Sequence, residues 1–109
     1  MTRDVYQPAR SETLLEVTLV VATTFTANTS NYWTIQLRRL RPGQSFGEDV
    51  GAAFSLATFT LTADEPATIY SDAAGTELEN GDRLVVEMTK TGTPAQLQAA
   101  TFNSKIQGR

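Results

Sequence analysis

Apolar and polar residues alternate one by one in several short segments of this sequence, and this alternation constrains the fold more than any other feature. In YWTIQLRRL, residues 32–40, one face carries Trp33, Ile35 and Leu37. The segment RLVVEMTK, residues 83–90, alternates in the same way. Because successive side chains of a β-strand point to opposite sides of the sheet, both segments predict strands with one buried face.

About six such segments follow one another at fairly regular spacing, and turn-forming residues separate them. The predicted strands cover residues 13–22, 32–40, 53–63, 67–72, 83–90 and 99–106. The predicted connections are 23–31, 41–52 and 73–82, all rich in Gly, Pro, Asn, Asp or Ser. This pattern is typical of a sandwich or a small barrel. We predict an all-β fold, a single small antiparallel β-sandwich.

The alternation also predicts which side chains form the core. The expected core residues are Leu15, Val17, Leu19, Trp33, Ile35, Leu37, Phe59, Leu61, Leu84, Val86, Met88 and Phe102. Leu14, Val20 and Val85 are expected to point outward and to lack a partner within one domain. Such uncovered apolar residues, together with the open edges of a sandwich, favour self-association.

Composition limits the chemistry that this chain can perform. Its 109 residues are enough for one domain, and they include neither His nor Cys. A serine–histidine triad is therefore excluded, and the commonest metal ligand and general base are missing. The net charge of −3 gives no bias toward nucleic acid. No apolar run is long enough to span a membrane, and the N-terminus lacks the apolar core of a signal peptide.

The first twelve residues, MTRDVYQPARSE, show no periodicity and contain a proline and mixed charges. We interpret residues 1–12 as an extended N-terminal arm and residues 13–109 as the sandwich domain. Val5 and Tyr6 form an isolated apolar pair with Arg10 close by, as in tails that lie on a neighbouring surface. The alternative is a frayed terminus without a role.

Three arginines, Arg38, Arg39 and Arg41, end a predicted strand just before the long Gly- and Pro-containing loop. The simpler interpretation is a polar strand end that discourages edge pairing. The functional interpretation is a docking patch for an acidic partner surface, with Phe46 of the loop as a further contact residue.

Other side chains give weaker signals. The acidic residues of the turns are Asp64, Glu65, Asp72, Glu77, Glu79 and Asp82, and we interpret them as solvated loop charges, since no calcium-loop spacing is present. Trp33 shares a face with Ile35 and is interpreted as a core residue, with a sugar platform as the alternative. Tyr32 and Tyr70 are the better candidates for a surface contact. We expect no catalytic residue, cofactor or metal site.

Two stretches, LLEVTLVVATTFTANTSNYWTIQLRRL and LENGDRLVVEMTKTGTPAQLQAATF, resemble small β-sandwich virion proteins of tailed phages. This group includes capsid decoration, or cement, proteins and domains of tail fibres. The resemblance extends over residues 13–103 and leaves out the arm and the Arg-Pro-Gly loop. It implies a jelly-roll-like sandwich and a structural role on the outer face of a capsid shell.

From the resemblance we expect a protein made in the host cytoplasm and carried on the virion surface. Its expected partners are the major capsid protein and copies of itself, as a homotrimer, with no nucleic acid, membrane, cofactor or small-molecule substrate. The alternative is a receptor- or glycan-binding module of a tail fibre, which would usually belong to a longer chain. The short length and the initial methionine favour the decoration protein, and the missing His and Cys disfavour an enzyme.

Overall fold

A computed structural model describes residues 2–8, 10–44 and 47–108, which form seven strands and no helix. The strands are β1 (Thr2–Tyr6), β2 (Glu12–Val20), β3 (Tyr32–Leu40), β4 (Glu48–Ser55), β5 (Ala67–Leu78), β6 (Arg83–Thr91) and β7 (Thr101–Gly108). They form a four-stranded sheet of order β1-β6-β3-β4 and a three-stranded sheet of order β5-β2-β7. All neighbouring strands are antiparallel. The prediction of an all-β sandwich is therefore confirmed.

The strands pair in a nested order. β3 pairs with β4, β2 pairs with β5, and β1 pairs with β6. Two further pairings complete the sheets, β3 with β6 and β7 with β2. Only β3 and β4 are neighbours both in sequence and in one sheet; every other connection between successive strands crosses from one sheet to the other.

The core lies between the two sheets and is built mainly from predicted residues. Cross-strand partners share a face, and the pairing of Ile35 with Met88 and of Leu37 with Val86 carries the two strands' apolar residues inward together. The predicted core residues that are buried are Val17, Leu19, Trp33, Ile35, Leu37, Leu61, Leu84, Val86 and Met88. Strict alternation therefore identified the interiors of β3 and β6 correctly.

The assignment in β2 was wrong at two residues because the strand contains a bulge. The register shifts between Leu14 and Glu16 against both neighbouring strands. An extra residue in one strand moves the side chains before it to the opposite face. Leu14 is consequently fully buried, whereas Leu15 is only half-buried. Val85, also expected outward, is 2 % exposed, so neither Leu14 nor Val85 is an uncovered apolar residue.

The predicted strand over residues 53–63 lies too far along the chain. The strand is β4, which takes up residues 48–52 of the predicted 41–52 loop, and residues 56–63 instead form an irregular segment. An isolated β-bridge between Phe25 and Leu61 and further hydrogen bonds, among them the one from the Leu56 N–H to the Trp33 carbonyl, hold this segment over the end of the sandwich. Phe59, expected in the core, is 42 % exposed and packs edge-to-face on Phe54.

Gly51 interrupts the alternation of apolar and polar residues in β4, and the packing around it requires a glycine. Gly51 has a φ of +72°, and a Cβ at this position would lie 2.7 Å from Cδ1 of Tyr70. The ring of Tyr70 therefore lies directly against the β4 backbone. Tyr70 is 8 % exposed, and its hydroxyl is 2.6 Å from Oγ1 of Thr76. The expectation that Tyr70 forms a surface contact is wrong.

The N-terminal segment is a strand of the sandwich and not a separate arm along its whole length. Thr2–Tyr6 pairs with β6, and the register shifts between Asp4 and Tyr6. Val5 and Tyr6 pack against the core, and Pro8 is fully buried. A strand with an unpaired edge, such as β6, can pair with even a short N-terminal segment. The sequence of that segment alone does not show that such an edge is available.

The last strand, β7, lies only two residues further along the chain than the predicted strand over residues 99–106. β7 begins at Thr101 and places Phe102 and Ile106 on its inner face. Both side chains are half-buried and pack against the core from the edge of the three-stranded sheet. Phe102 is therefore a peripheral residue of the core and not a central one.

Candidate interaction surface

The two ends of the sandwich differ in composition. One end, here called the arginine end, carries the described connecting residues 7–8, 10–11, 41–44, 47 and 79–82 and the end of β7. The opposite end, the tryptophan end, carries the connections at residues 21–31, 56–66 and 92–100. The contact residues predicted from sequence within the described ranges lie on or close to the arginine end.

Arg38 lies on the outer face of the four-stranded sheet, close to the arginine end. Its guanidinium donates to Oδ1 of Asp49 at 2.7 Å and lies 3.4 Å from Oε2 of Glu87. Cross-strand register explains the contact with Asp49, which is its partner on β4. Arg38 therefore carries a local ion network across three strands and is not a free cation.

Arg39 points the other way and bridges the two sheets. It forms an ion pair with Glu48, and its Nη1 donates to the carbonyl oxygen of Glu77 at 2.8 Å. Its side chain is only 15 % exposed. Because Glu77 belongs to β5, this arginine joins the four-stranded sheet to the three-stranded sheet where the sandwich ends.

Arg41 lies 3.6 Å from a buried carboxylate, Oδ2 of Asp82. That oxygen also accepts the backbone N–H of Glu79 at 2.8 Å, while Oδ1 of Asp82 is buried without a hydrogen-bond partner among the described residues. Pro42 packs against Gly81, where a Cβ would lie 3.0 Å from its ring. Asp82 is 0 % exposed, so its interpretation as a solvated loop charge is wrong.

The N-terminal residues complete this end of the molecule. The hydroxyl of Tyr6 donates a hydrogen bond to Oε1 of Glu12, which raises the pKa of Tyr6 above its ordinary value of 10.0. Burial and the negative charge of Glu12 raise this pKa further, whereas Arg10 lowers it. Arg10 is exposed and lies beside Gly108, where a Cβ would be 3.2 Å from its Nη2.

Most of the predicted contact residues thus lie close together, but the three arginines among them are paired with carboxylates. Arg38, Arg39 and Arg41 each face a carboxylate of the same chain, so they do not form an uncompensated positive patch. Arg10 is the exposed cation of the group. Phe46 lies outside the described residues.

Sequence reasoning missed the acidic partners of the arginines and the role of Asp82. Glu48 and Asp49 come from β4, the next strand along the chain, whereas Glu87 comes from β6 and is distant in sequence. The Asn-Gly-Asp turn offered one local signal, since an Asp at a turn commonly bonds a nearby backbone N–H. Its buried state depends on the Arg41–Pro42 segment, which no local pattern brings to it.

The tryptophan end carries fewer charged residues, since only Asp64 and Glu65 are charged in its connections. Trp33 is 9 % exposed, and its indole N–H donates to the carbonyl oxygen of Ala95 at 2.8 Å. A cavity of about 430 Å³ lies beside it, with Met88 and the residues Gln96–Ala100 in its wall. Tyr32 is half-buried and packs against the core. The core assignment of Trp33 is confirmed, although the residue also lines a cleft that the sequence did not indicate.

Within the described ranges, no group of three or more acidic side chains has the arrangement of a metal site. The same ranges contain no helix with the length and apolar character needed to cross a membrane. No protein-family model matches the sequence, and neither a curated protein nor a solved structure matches the chain.

Proposed function

We propose that this chain is a phage capsid decoration, or cement, protein that binds the outer surface of a capsid shell and bridges its subunits. The observation that carries the proposal is the nested pairing of β3 with β4, β2 with β5 and β1 with β6. A long antiparallel hairpin rolled onto itself would give this order, so the pairing supports a jelly-roll-like sandwich. Viral capsid proteins use this architecture, so the proposal is an argument from fold.

The alternative, a receptor- or glycan-binding tail-fibre module, rests on the tyrosine-containing strands and on the long polar loop, and the tyrosines no longer support it. Lectin domains also use jelly rolls, but the two tyrosines expected on the surface do not form a platform there. Tyr70 is buried beneath Gly51, and Tyr32 packs against the core. We therefore develop only the shell-binding proposal.

The arginine end is the surface best suited to shell contact. Its ion pairs and the Arg39 bridge hold several charged groups in fixed positions, which lowers the entropy lost on binding. Arg10 projects from this surface beside the end of β7. Alternating positive and negative charges favour a partner surface with the complementary charge pattern. A partner docked in a shifted position would bring like charges together, and their repulsion would oppose that position.

Self-association, as a homotrimer, is part of the proposal and rests on the strand edges. β1 and β4 end the larger sheet, and β5 and β7 end the smaller one. In the described part of the chain no further strand covers these four edges. Their exposed backbone groups can pair with a neighbouring chain. Leu14 and Val85 no longer support this step, since both are buried.

The test is co-sedimentation of the purified protein with bare capsid shells of the source virus. We expect saturable binding, reduced by Arg10→Ala at the arginine end and unchanged by Lys90→Ala near the tryptophan end. Both residues are exposed, so neither change should unfold the sandwich. Protein that stays in the supernatant while its circular dichroism shows a folded β-protein would contradict the proposal.

A further inference from the structure

The open end of the sandwich beside Trp33 contains two adjoining hollows of about 430 and 380 Å³. Trp33 and Met88 line both of them, and Lys90 lines the second. Trp33 pairs with Lys90 across the sheet, and Met88 lies two residues before Lys90 on the same strand. All three side chains therefore leave the inner face of the sheet in the same direction. We call this site the Trp33 cleft.

The opposite wall of the Trp33 cleft is fixed before any ligand arrives. The segment 92–100 crosses from β6 to β7 and is held at three points along its length. Asn31 Oδ1 accepts the N–H of Thr93 at 2.8 Å, the carbonyl of Ala95 accepts the Trp33 indole, and the carbonyl of Gln98 accepts the N–H of Ala22 at 2.9 Å. A preformed wall of this kind limits the ordering that binding would require.

The chemistry of the cleft is apolar at its base and polar at its rim. Trp33 and Met88 are 9 % and 7 % exposed, and Leu97 packs against the core beside them. Gln96 and Gln98 lie in the same wall. Lys90 is exposed, and in the described ranges no carboxylate forms an ion pair with it.

These features select a class of ligand. The volume of the larger hollow falls within the ~300–1,000 Å³ typical of small-ligand sites, and its base suits an aliphatic group. A sugar would need an open aromatic face for stacking, and the indole is nearly covered. One available ammonium group at the rim, with amide donors nearby, matches a single carboxylate.

We propose that the Trp33 cleft binds an aliphatic group that ends in a carboxylate, with the aliphatic part on Trp33 and Met88 and the carboxylate on Lys90. This chemistry is shared by the C-terminal leucine of a peptide chain and by a free short-chain carboxylic acid. The site lies at the end opposite to the proposed shell contact, so it is a second function. It departs from the expectation that the chain takes no small-molecule ligand.

Trp33 is the only tryptophan in the sequence, so its fluorescence reports on the cleft directly. The protein is titrated with hexanoate and with a short peptide ending in a free Leu carboxylate. Hexanamide and the C-terminally amidated peptide serve as neutral counterparts. We expect a saturable change in emission with at least one acid and up to about fivefold weaker binding of its amide, as for an exposed ion pair.

The preferred acid identifies the source of the ligand: tighter binding of the peptide indicates a protein C-terminus, and tighter binding of hexanoate indicates a free acid. The variant Lys90→Gln should bind acid and amide equally. Lys105→Gln, which removes another exposed lysine on β7, should retain the preference. Equal binding of acid and amide by the wild type overturns the carboxylate assignment. The absence of any saturable emission change overturns the cleft as a binding site.

These outcomes are independent of the proposed function. Lys90→Ala should leave shell binding intact, and Arg10→Ala should leave the Trp33 titration intact. Failure of either proposal is therefore visible without the other.

Discussion

Leu84 and Phe59 show how differently two predicted core residues contribute to stability. Leu84 is fully buried between the sheets, whereas Phe59 is 42 % exposed and contacts Phe54 at a ring distance of 5.0 Å. Leu84→Ala should lower the free energy of unfolding by about 2–5 kcal/mol, because it leaves a cavity. Phe59→Ala should cost less than that, because the partly exposed ring buries less apolar surface and loses an aromatic pair worth about 0.5–1.5 kcal/mol beyond that burial. Urea melts of the two variants measure this difference, and equal losses would contradict the assigned packing.

Two glycines with similar backbone angles separate conformational strain from steric overlap. Gly75 and Gly43 have φ values of +78° and +81°. Alanine costs roughly 1–2 kcal/mol in this left-handed region. At Gly75 a Cβ would also overlap Thr13 and lie 3.0 Å from the carbonyl oxygen of Leu14, whereas at Gly43 it would meet nothing within 4 Å. Gly75→Ala should therefore lower Tm clearly more than Gly43→Ala, and the reverse order would argue against the β2–β5 register.

The hydrogen bond from Tyr6 to Glu12 predicts a pH dependence of stability. It raises the pKa of Tyr6 in the folded protein, so folding favours the protonated phenol. This contribution is fully present below about pH 10, the pKa of an unfolded tyrosine, and is lost as the pH rises through the higher folded value. The stability difference between wild type and Tyr6→Phe should therefore shrink above pH 10. A stability difference that stays constant between pH 8 and pH 11 would show that the protonated Tyr6 phenol does not stabilise the folded protein through this hydrogen bond.

At the scale of the element, a deletion in β1 distinguishes a paired strand from a free arm. Removing residues 1–6 should speed amide exchange in β6, because Thr2–Tyr6 pairs with that strand. It should also lower the free energy of unfolding, since Val5 and Tyr6 leave the core. Hydrogen exchange followed by mass spectrometry measures the first effect. Unchanged exchange in β6 would support the arm that the sequence predicts for residues 1–12.

Strands were predictable where both faces follow a strict alternation, and not where a bulge or a glycine interrupts it. The bounds of β3 match the prediction at both ends, because Trp33, Ile35 and Leu37 alternate without a break. In β2 the bulge at Leu15 reverses the side chains before it. In β4 the alternation fails at Gly51, where the requirement for glycine comes from a ring on another strand.

The candidate contact site was predictable in position but not in electrostatics. Arg38, Arg39 and Arg41 lie close to one end because they terminate one strand. Their partners Asp49, Glu48 and Asp82 reach them only through sheet pairing and loop packing. The strand register and the loop packing that form these pairs follow from topology, which local periodicity does not determine.

For the whole molecule, the two ends suggest a division of roles. The arginine end is a fixed array of ion pairs, suited to a broad and specific contact. The tryptophan end is a small cleft with an apolar base. The strands between them are about nine residues long in β2, β3 and β6, so they hold the two ends well apart. A chain attached to a shell by the arginine end would present the Trp33 cleft outward.

The most direct test of the proposed function is imaging of bare tailed-phage capsid shells with and without the purified protein. We predict added density of trimeric outline on the outer surface of the shell, with the arginine end toward the shell. We also predict that Arg10→Ala lowers its occupancy. Shells that show no added density in the presence of excess folded protein would contradict the central claim.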